Sequence, residues 1–156
     1  MVDKSDLNQA LESVPWLEEL SHENTQTLAN ISHVTTIEAQ KFVFREGDIE
    51  DFIYILISGQ VNIEMKVPKL QTILVHSAEP YDIVGWSSVT PVVRQRTASA
   101  RASQRCTLIA IDAAKLRELC EENHDIGYVI LCHIANIIAT RLLVTRLQML
   151  DILART

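Results

Sequence analysis

The chain has 156 residues, of which 47% are hydrophobic and 22% are charged, a composition typical of one folded globular domain. Fourteen Lys and Arg against twenty Asp and Glu give a net charge of −6, which argues against a basic surface for nucleic acid. The N-terminus lacks the apolar core of a signal peptide, and the most apolar stretch, residues 126–138, contains polar side chains and is soon followed by Arg141. We therefore expect a single domain over residues 1–156, with neither a membrane span nor direct contact with nucleic acid.

Residues 1–33 are expected to form helices. Apolar residues at helical spacing share one face of the first segment: Leu7, Leu11, Val14 and Leu17. Pro15 kinks or ends that segment. Ser21 is a suitable N-cap for a second short helix that reaches Leu28.

Residues 34–111 are expected to form β-structure. Short runs rich in β-branched and aromatic residues recur between turn signals such as Ser58-Gly59. These runs are Lys41–Phe44, Phe52–Ile57, Gln60–Met65, Thr72–His76, Thr97–Ala102 and Thr107–Ile111. Strands of this length and spacing predict an antiparallel sandwich or barrel.

Residues 112–153 return to helical periodicity. Asp112 is a suitable N-cap for a helix over Ala113–Glu122, and a longer helix is expected from about Asp125 to Leu153. Apolar residues and one threonine alternate steps of four and three, as in a heptad seam: Leu131, Ala135, Ile138, Leu142, Thr145, Met149 and Ile152. An adjacent isoleucine face suits packing on the β-unit, so the seam predicts a homodimer through this helix. A single wide core face is the alternative.

The three cysteines, Cys106, Cys120 and Cys132, are an odd number and lack CxxC spacing. They are expected to be free and mostly buried thiols in a reducing compartment, which predicts a cytoplasmic protein. Cys120 and His124 could face each other one helical turn apart, but two ligands do not make a zinc site. No metal cofactor is therefore expected.

Three stretches and the segment that follows them carry a family resemblance. They are Phe42–Asp48 (FVFREGD), Asp51–Val61 (DFIYILISGQV), Asp82–Ser88 (DIVGWSS) and Arg96–Ala102 (RTASARA). In order and spacing they resemble the cyclic-nucleotide-binding domain shared by the bacterial catabolite activator protein and the kinase A regulatory subunit. The resemblance covers essentially the whole chain. It implies an α+β, mainly β, fold: an antiparallel β-roll, or double-stranded jelly roll, flanked by N-terminal helices and a long C-terminal helix.

The resemblance also implies a phosphate-binding cassette within residues 82–102. A cyclic phosphate that leaves water needs a charged donor and backbone N–H groups, and a glycine lets the backbone come close to it. Arg96 stands eleven residues after Gly85, at the position of the family's phosphate-binding arginine. The implied ligand-binding residues are Val84, Gly85, Trp86, Ser87, Ser88, Arg96, Thr97, Arg141 and Thr145. Three further arginines are expected to be surface charges: Arg94, Arg101 and Arg105.

The cassette departs from the family pattern at Trp86, where the family has a glutamate that accepts the ribose 2′-hydroxyl. An indole donates a hydrogen bond but cannot accept one, and losing a charged acceptor costs about 1.5–3 kcal/mol, or about one to two decades of affinity. Gln40 and Tyr81 likewise stand where the family has turn glycines. We hypothesise that Arg141, which has no such glutamate to pair with, stacks on Trp86 in a cation–π contact. A purely hydrophobic cover by Trp86 is the alternative.

The function that these features predict is that of a stand-alone regulatory or sensor domain. It would bind cAMP or a related cyclic nucleotide and signal through its C-terminal helix to an effector protein whose identity is unknown. A degenerate dimerisation module that binds no cyclic nucleotide, or binds a different anion, is the alternative. Catalysis is not expected, because Gly85–Val89 lacks the final glycine of a nucleophile elbow and the histidines lack HExxH spacing. A DNA-reading helix is not expected either, because the sequence stops at Thr156.

Overall fold

The computed structural model describes residues 4–49, 51–69, 71–90 and 95–155. The α-helices in these ranges are α1 (Lys4–Glu12), α2 (His22–Ala29), α3 (Ala113–Glu122) and α4 (His124–Ala154). Short 3-10 helices lie at Pro15–Leu17 and Trp86–Val89. The strands are β1 (Ser32–Ile37), β2 (Phe42–Phe44), β3 (Phe52–Ser58), β4 (Val61–Lys66), β5 (Thr72–Ala78), β6 (Ile83–Val84), β7 (Ser99–Ala102) and β8 (Cys106–Asp112).

The strands pair into two four-stranded antiparallel sheets within the described residues. One sheet has the order β1-β8-β3-β6 and the other has the order β2-β7-β4-β5. This arrangement, with helices on either side in the sequence, confirms the predicted β-roll. Two strands, β1 and β6, were not among the runs named from the sequence, although β6 and most of β1 lie within the predicted β region of residues 34–111. The run Val34–Ile37 in β1 carries a strand signal in its β-branched residues, whereas β6 has two residues and is too short to show alternation.

Two hydrophobic clusters hold the fold together, and β8 contributes to both. Ile109 and Ile111 on one face join the cluster that the helices build, and Cys106 and Leu108 on the other face join the cluster inside the roll. This follows from the period of two along a strand. The largest fully buried side chains are Leu11, Leu28, Ile53, Ile55, Leu56, Leu108, Ile109, Ile111, Leu116, Ile126, Ile130 and Val14.

The predicted helix caps are confirmed. The side chain of Ser21 accepts from the backbone N–H of Asn24 at 3.2 Å, at the start of α2. The side chain of Asp112 accepts from the N–H of Lys115 at 2.9 Å, at the start of α3. The side chain of Asn123 caps α4, which therefore begins one residue earlier than predicted. Such caps satisfy N–H groups that have no partner within the helix.

Helix α4 differs between its two halves. In the first half, Ile126, Val129, Ile130 and Ile134 are buried against the domain. In the second half, large apolar side chains are exposed: Leu142, Leu143, Val144, Leu147, Met149, Leu150, Ile152 and Leu153. By length and composition alone, α4 could cross a membrane, a test that core helices also pass. Because its first half packs into the core, we interpret α4 as a domain helix whose second half exposes apolar side chains.

Trp16 connects the turn between β5 and β6 with helix α4. The indole Nε1 of Trp16 donates to the carbonyl of Tyr81 at 3.0 Å, and the ring of Trp16 stacks on that of His133 in α4 with centroids 4.1 Å apart. Tyr81 has a φ of 75°, and Gln40 has a φ of 66°. Both residues therefore adopt the left-handed conformation that glycine takes most easily, at the conformational cost that a side chain brings.

The three cysteines are free thiols. Cys106 is buried and Cys120 is half-buried, so burial raises the pKa of both thiols. Cys132 is exposed on α4, contrary to the expectation of burial, because it lies on a part of the helix surface that the sheets do not cover.

Gly59 in the β3–β4 turn is expected to tolerate alanine poorly. Its φ is +94°, and a Cβ atom would lie 2.5 Å from the carbonyl oxygen of Arg105. Gly47 has a similar φ of +88° with no atom within 4 Å of a Cβ, so it is the matched control. We expect Gly47→Ala to lower the free energy of unfolding by about 1–2 kcal/mol and Gly59→Ala by about 1–3 kcal/mol more. Urea unfolding of both variants measures this, and equal losses would contradict it.

Candidate functional site

A cavity of about 230 Å³ lies between the 3-10 helix at Trp86–Val89, strands β4 and β5, and helix α4. Its wall is mostly apolar, with a few polar and charged groups, as is usual for small-molecule sites. The lining residues are Phe44, Ile63, Met65, Val75, His76, Ala78, Ile83, Val84, Gly85, Trp86, Ser87, Arg96, Thr97, Ala98, Arg141 and Thr145.

Gly85 shapes one side of this cavity. It follows β6 with a φ of 79° and leads into the 3-10 helix. Its carbonyl oxygen accepts from the Ser88 hydroxyl at 2.8 Å and from Nη1 of Arg96 at 2.9 Å. A Cβ atom at this position would come within 2.5 Å of that same Nη1. Glycine is therefore required here by its backbone conformation and by the close approach of the arginine.

Arg96 is almost fully buried, with 4% of its surface exposed. Its guanidinium donates to the carbonyl oxygens of Gly85 and Phe52 and lies over the ring of Phe44, 4.1 Å from the centroid. Burial raises the pKa of the nearby Tyr54, and the positive charge of Arg96 opposes that shift. These contacts fix the orientation of a cation in the cavity wall, which is the group that an anionic ligand requires.

Helix α4 contributes Arg141 and, one turn later, Thr145 to the same cavity. Arg141 is half-buried, and burial lowers its pKa while the carboxylate of Asp82 raises it. Asp82 is the last residue of the β5–β6 turn, so its electrostatic attraction to Arg141 connects that turn with α4. A ligand in the cavity would thus contact the cassette and the long helix together.

Trp86 is half-buried, lines the cavity and packs against the helical core cluster. Within the described residues, cation–ring contacts join Arg45 to Phe42 and Arg96 to Phe44, and none joins Arg141 to Trp86. The hypothesised stacking is therefore absent from this structure. The geometry favours the alternative, in which Trp86 is a hydrophobic cover over the cavity.

The structure gathers most of the predicted site residues around this one cavity. They are Val84, Gly85, Trp86, Ser87, Arg96, Thr97, Arg141 and Thr145. Ser88 does not line it: it is 2% exposed, and its hydroxyl donates to the Gly85 carbonyl. Arg117 of α3 donates in turn to the Ser88 carbonyl. Ser88 therefore stabilises the turn without lining the cavity.

Sequence reasoning missed the walls that the strands supply. The apolar ones include Ile63, Met65 and Val75. A strand prediction places such residues on one face of a sheet but does not indicate that they line a ligand site. His76 of β5 was also missed, because a lone histidine in a strand carries no motif.

Two of the arginines expected at the surface can be checked. Arg105 is exposed and pairs with Glu38 at 3.3 Å, as expected. Arg101 instead forms an ion pair with Glu64, a carboxylate that is 7% exposed. Arg101 pairs with Asn62 and Glu64 pairs with Ser99, so the two charged residues lie diagonally across the adjacent strands β4 and β7. Arg101 keeps 37% of its side chain exposed, as expected of a surface charge, and in addition neutralises a buried carboxylate. Arg94 lies outside the described residues.

Other surface depressions are larger but chemically less suited to an anion. One of about 740 Å³ is an open groove at the β4–β5 hairpin. Another, of about 520 Å³, is also lined by Arg96, but it carries Asp48 and Asp51, whose negative charges oppose an anionic ligand. Within the part of the chain that the structure describes, no three His, Cys, Asp or Glu side chains come together to hold a metal ion.

A family profile, that of the cyclic nucleotide-binding domain, matches residues 34–123, more than half of the chain. The chain belongs to this family. The match spans the cassette and Arg96, and it ends at the start of α4. No curated protein sequence matches the chain.

Solved structures show the same fold over most of the chain. A protein from Geobacter metallireducens GS-15, described as a cyclic nucleotide-binding protein, is 26% identical, with 91% of this chain and 99% of that chain covered and a TM-score of 0.73. The sensor domain of the transcriptional regulator DNR from Pseudomonas aeruginosa is 21% identical, with coverage of 91% and 95% and a TM-score of 0.73. A cyclic nucleotide-binding domain from Methylobacillus flagellatus KT is 18% identical, with coverage of 98% and 84% and a TM-score of 0.75. The fold is thus one that regulatory sensor domains share.

Proposed function

We propose that this protein is a regulatory domain that binds cAMP or a closely related cyclic nucleotide and signals through α4. The observation that carries the proposal is the single cavity that joins Arg96 and the Gly85 turn to Arg141 and Thr145. The phosphate would lie at Arg96, Thr97 and the Gly85 turn, and the base would face α4. The family match over the cassette supports this placement of the ligand.

Signalling would follow from a difference in ligand affinity between two positions of α4. A ligand shifts such an equilibrium only as far as its affinities for the two positions differ. Arg141 and Thr145 line the cavity on the same helix that exposes the apolar seam residues Leu142 and Met149. We therefore propose a homodimer through α4, in which ligand binding and helix packing are coupled, with an effector protein as the receiver of the signal.

A dimerisation module that binds no cyclic nucleotide is the second candidate. Trp86 favours it, because an indole in place of the family's glutamate removes an acceptor and covers part of the cavity. In that case α4 would keep its dimer seam, and the cavity would have no role in binding.

Calorimetric titration of the purified protein with cAMP and cGMP separates the two candidates. The sensor proposal expects saturable heat and a raised melting temperature with at least one of them, because a ligand that binds the native state stabilises it. Neither heat nor a melting shift with either nucleotide would contradict the proposal and favour the dimerisation module.

A further inference from the structure

His76 is a polar side chain in the cavity wall with an unusual lack of partners. It lies in β5 among apolar neighbours, and 26% of its side chain is exposed. Its Nε2 atom is buried and has no hydrogen-bond partner within the described residues. Buried polar atoms are usually hydrogen-bonded, so an unpaired imidazole beside a cavity requires an explanation.

The charges around His76 set its protonation state. Burial and the positive charge of Arg141 on α4 lower the pKa of His76, and Asp82 and Glu79 at the β5–β6 turn oppose them. The net effect is a depressed pKa, so the ring is neutral at neutral pH. Oδ2 of Asp82 is 4.0 Å from Nε2, which is too far for a hydrogen bond. A neutral imidazole carries its proton on one nitrogen and accepts on the other, so the unpartnered Nε2 can serve as the acceptor.

Strong side-chain acceptors are scarce in the cavity. Among the described side chains that line it, none is a carboxylate or an amide. Arg96, Arg141 and Trp86 only donate hydrogen bonds, and the hydroxyl groups of the wall can both donate and accept. A neutral imidazole at His76 thus supplies an acceptor nitrogen that carries no proton, and it accepts more strongly than the thioether of Met65.

We propose that His76 accepts the hydrogen bond of the ligand's ribose 2′-hydroxyl, the role that the family's glutamate would have had at position 86. The selected ligand class is then a cyclic ribonucleotide rather than its 2′-deoxy analogue. The proposal rests on the proposed function, since it concerns the same cavity. It makes His76 a specificity-determining residue, whereas Arg96 would bind the phosphate of the ribonucleotide and of the 2′-deoxy analogue alike.

The test compares cAMP with 2′-deoxy-cAMP in calorimetric titrations of three proteins. The wild type is expected to bind cAMP about three- to tenfold more tightly, which is the value of one neutral hydrogen bond. His76→Leu is expected to bind both nucleotides equally. His133→Gln is the matched control, because His133 is also half-buried with an unpaired Nε2 but stacks on Trp16 outside the cavity. It is expected to keep the wild-type ratio.

A fourth protein, His76→Gln, guards against a folding defect and supplies a pH test. Its amide oxygen can accept the same bond, so the preference for cAMP should return. As the pH falls below the lowered pKa of His76, the imidazole becomes protonated, and the wild-type preference should disappear while that of His76→Gln remains. A cAMP preference that survives in His76→Leu, or that is absent from the wild type, overturns this inference alone. Failure of the wild type to bind any cyclic nucleotide overturns the proposed function as well.

Discussion

Arg96→Gln is expected to weaken cAMP binding by about a hundredfold or more. Arg96 is 4% exposed, and its guanidinium is oriented by two backbone carbonyls and by the ring of Phe44. A charge held in this way loses little entropy when it meets a phosphate, and removing one partner of a desolvated charge pair costs about 2–5 kcal/mol. Titration of the variant with cAMP measures the loss.

The controls for this variant separate binding from folding. Arg96 also joins Gly85 to Phe52, so its removal should lower the melting temperature of the protein without ligand. Arg96→Lys keeps the charge but cannot reach both carbonyls, so intermediate binding is expected. Arg105→Gln changes an exposed arginine that pairs with Glu38 and should bind like the wild type. Full affinity in a folded Arg96→Gln protein would place the anion elsewhere.

The fold, and the chain segments that line the candidate cavity, could be predicted because their signals are local. Motif order, alternating strands and the caps Ser21 and Asp112 are read from neighbouring residues, and the structure confirms them. Gln40 and Tyr81 show the limit of this reasoning. Both stand where the family has turn glycines, yet both adopt a positive φ, and the backbone N–H of each donates a hydrogen bond to another part of the chain.

The wall of the cavity that β4 and β5 form could not be predicted, and an irregularity in the pairing of these strands explains why. The register between β4 and β5 shifts, so that Ile63 pairs with His76 but Glu64 pairs with Leu74. Val75 is thus the extra residue of a bulge, which breaks the alternation of faces. Val75 and His76 can therefore line the same cavity although they are adjacent. Strict alternation would have sent one of them to the other face.

Arg141 shows a second reason why the site could not be fully predicted. Its neighbours are charged and titratable residues that lie far from it in the sequence. The sequence suggested Trp86 as its new neighbour once the glutamate was absent. In the structure its electrostatic partners are Asp82 and His76, which the β5–β6 turn brings to α4. The β5–β6 turn accepts a hydrogen bond from Trp16 in the N-terminal segment, so its position cannot be predicted from local sequence.

The double variant Leu142→Glu/Met149→Glu is expected to convert the proposed dimer into a monomer. Both side chains belong to the heptad seam, and they are 49% and 55% exposed in the single chain. Burying such a side chain contributes about 1.5–3 kcal/mol, and each protomer would supply two, so the dimer dissociation constant should rise on the order of a thousandfold or more. Sedimentation equilibrium measures the change.

The chain supplies a matched control for this variant on another stripe of the same helix. Leu143 and Leu147 are 58% and 57% exposed, but in the heptad that places Leu142 and Met149 at the seam they fall on the outer face. Leu143→Glu/Leu147→Glu therefore introduces the same charges on the same helix and should leave the dimer intact. Dissociation by both pairs would mean that the interface covers the wide apolar face rather than a seam. A wild-type protein that stays monomeric would show that α4 binds a different partner.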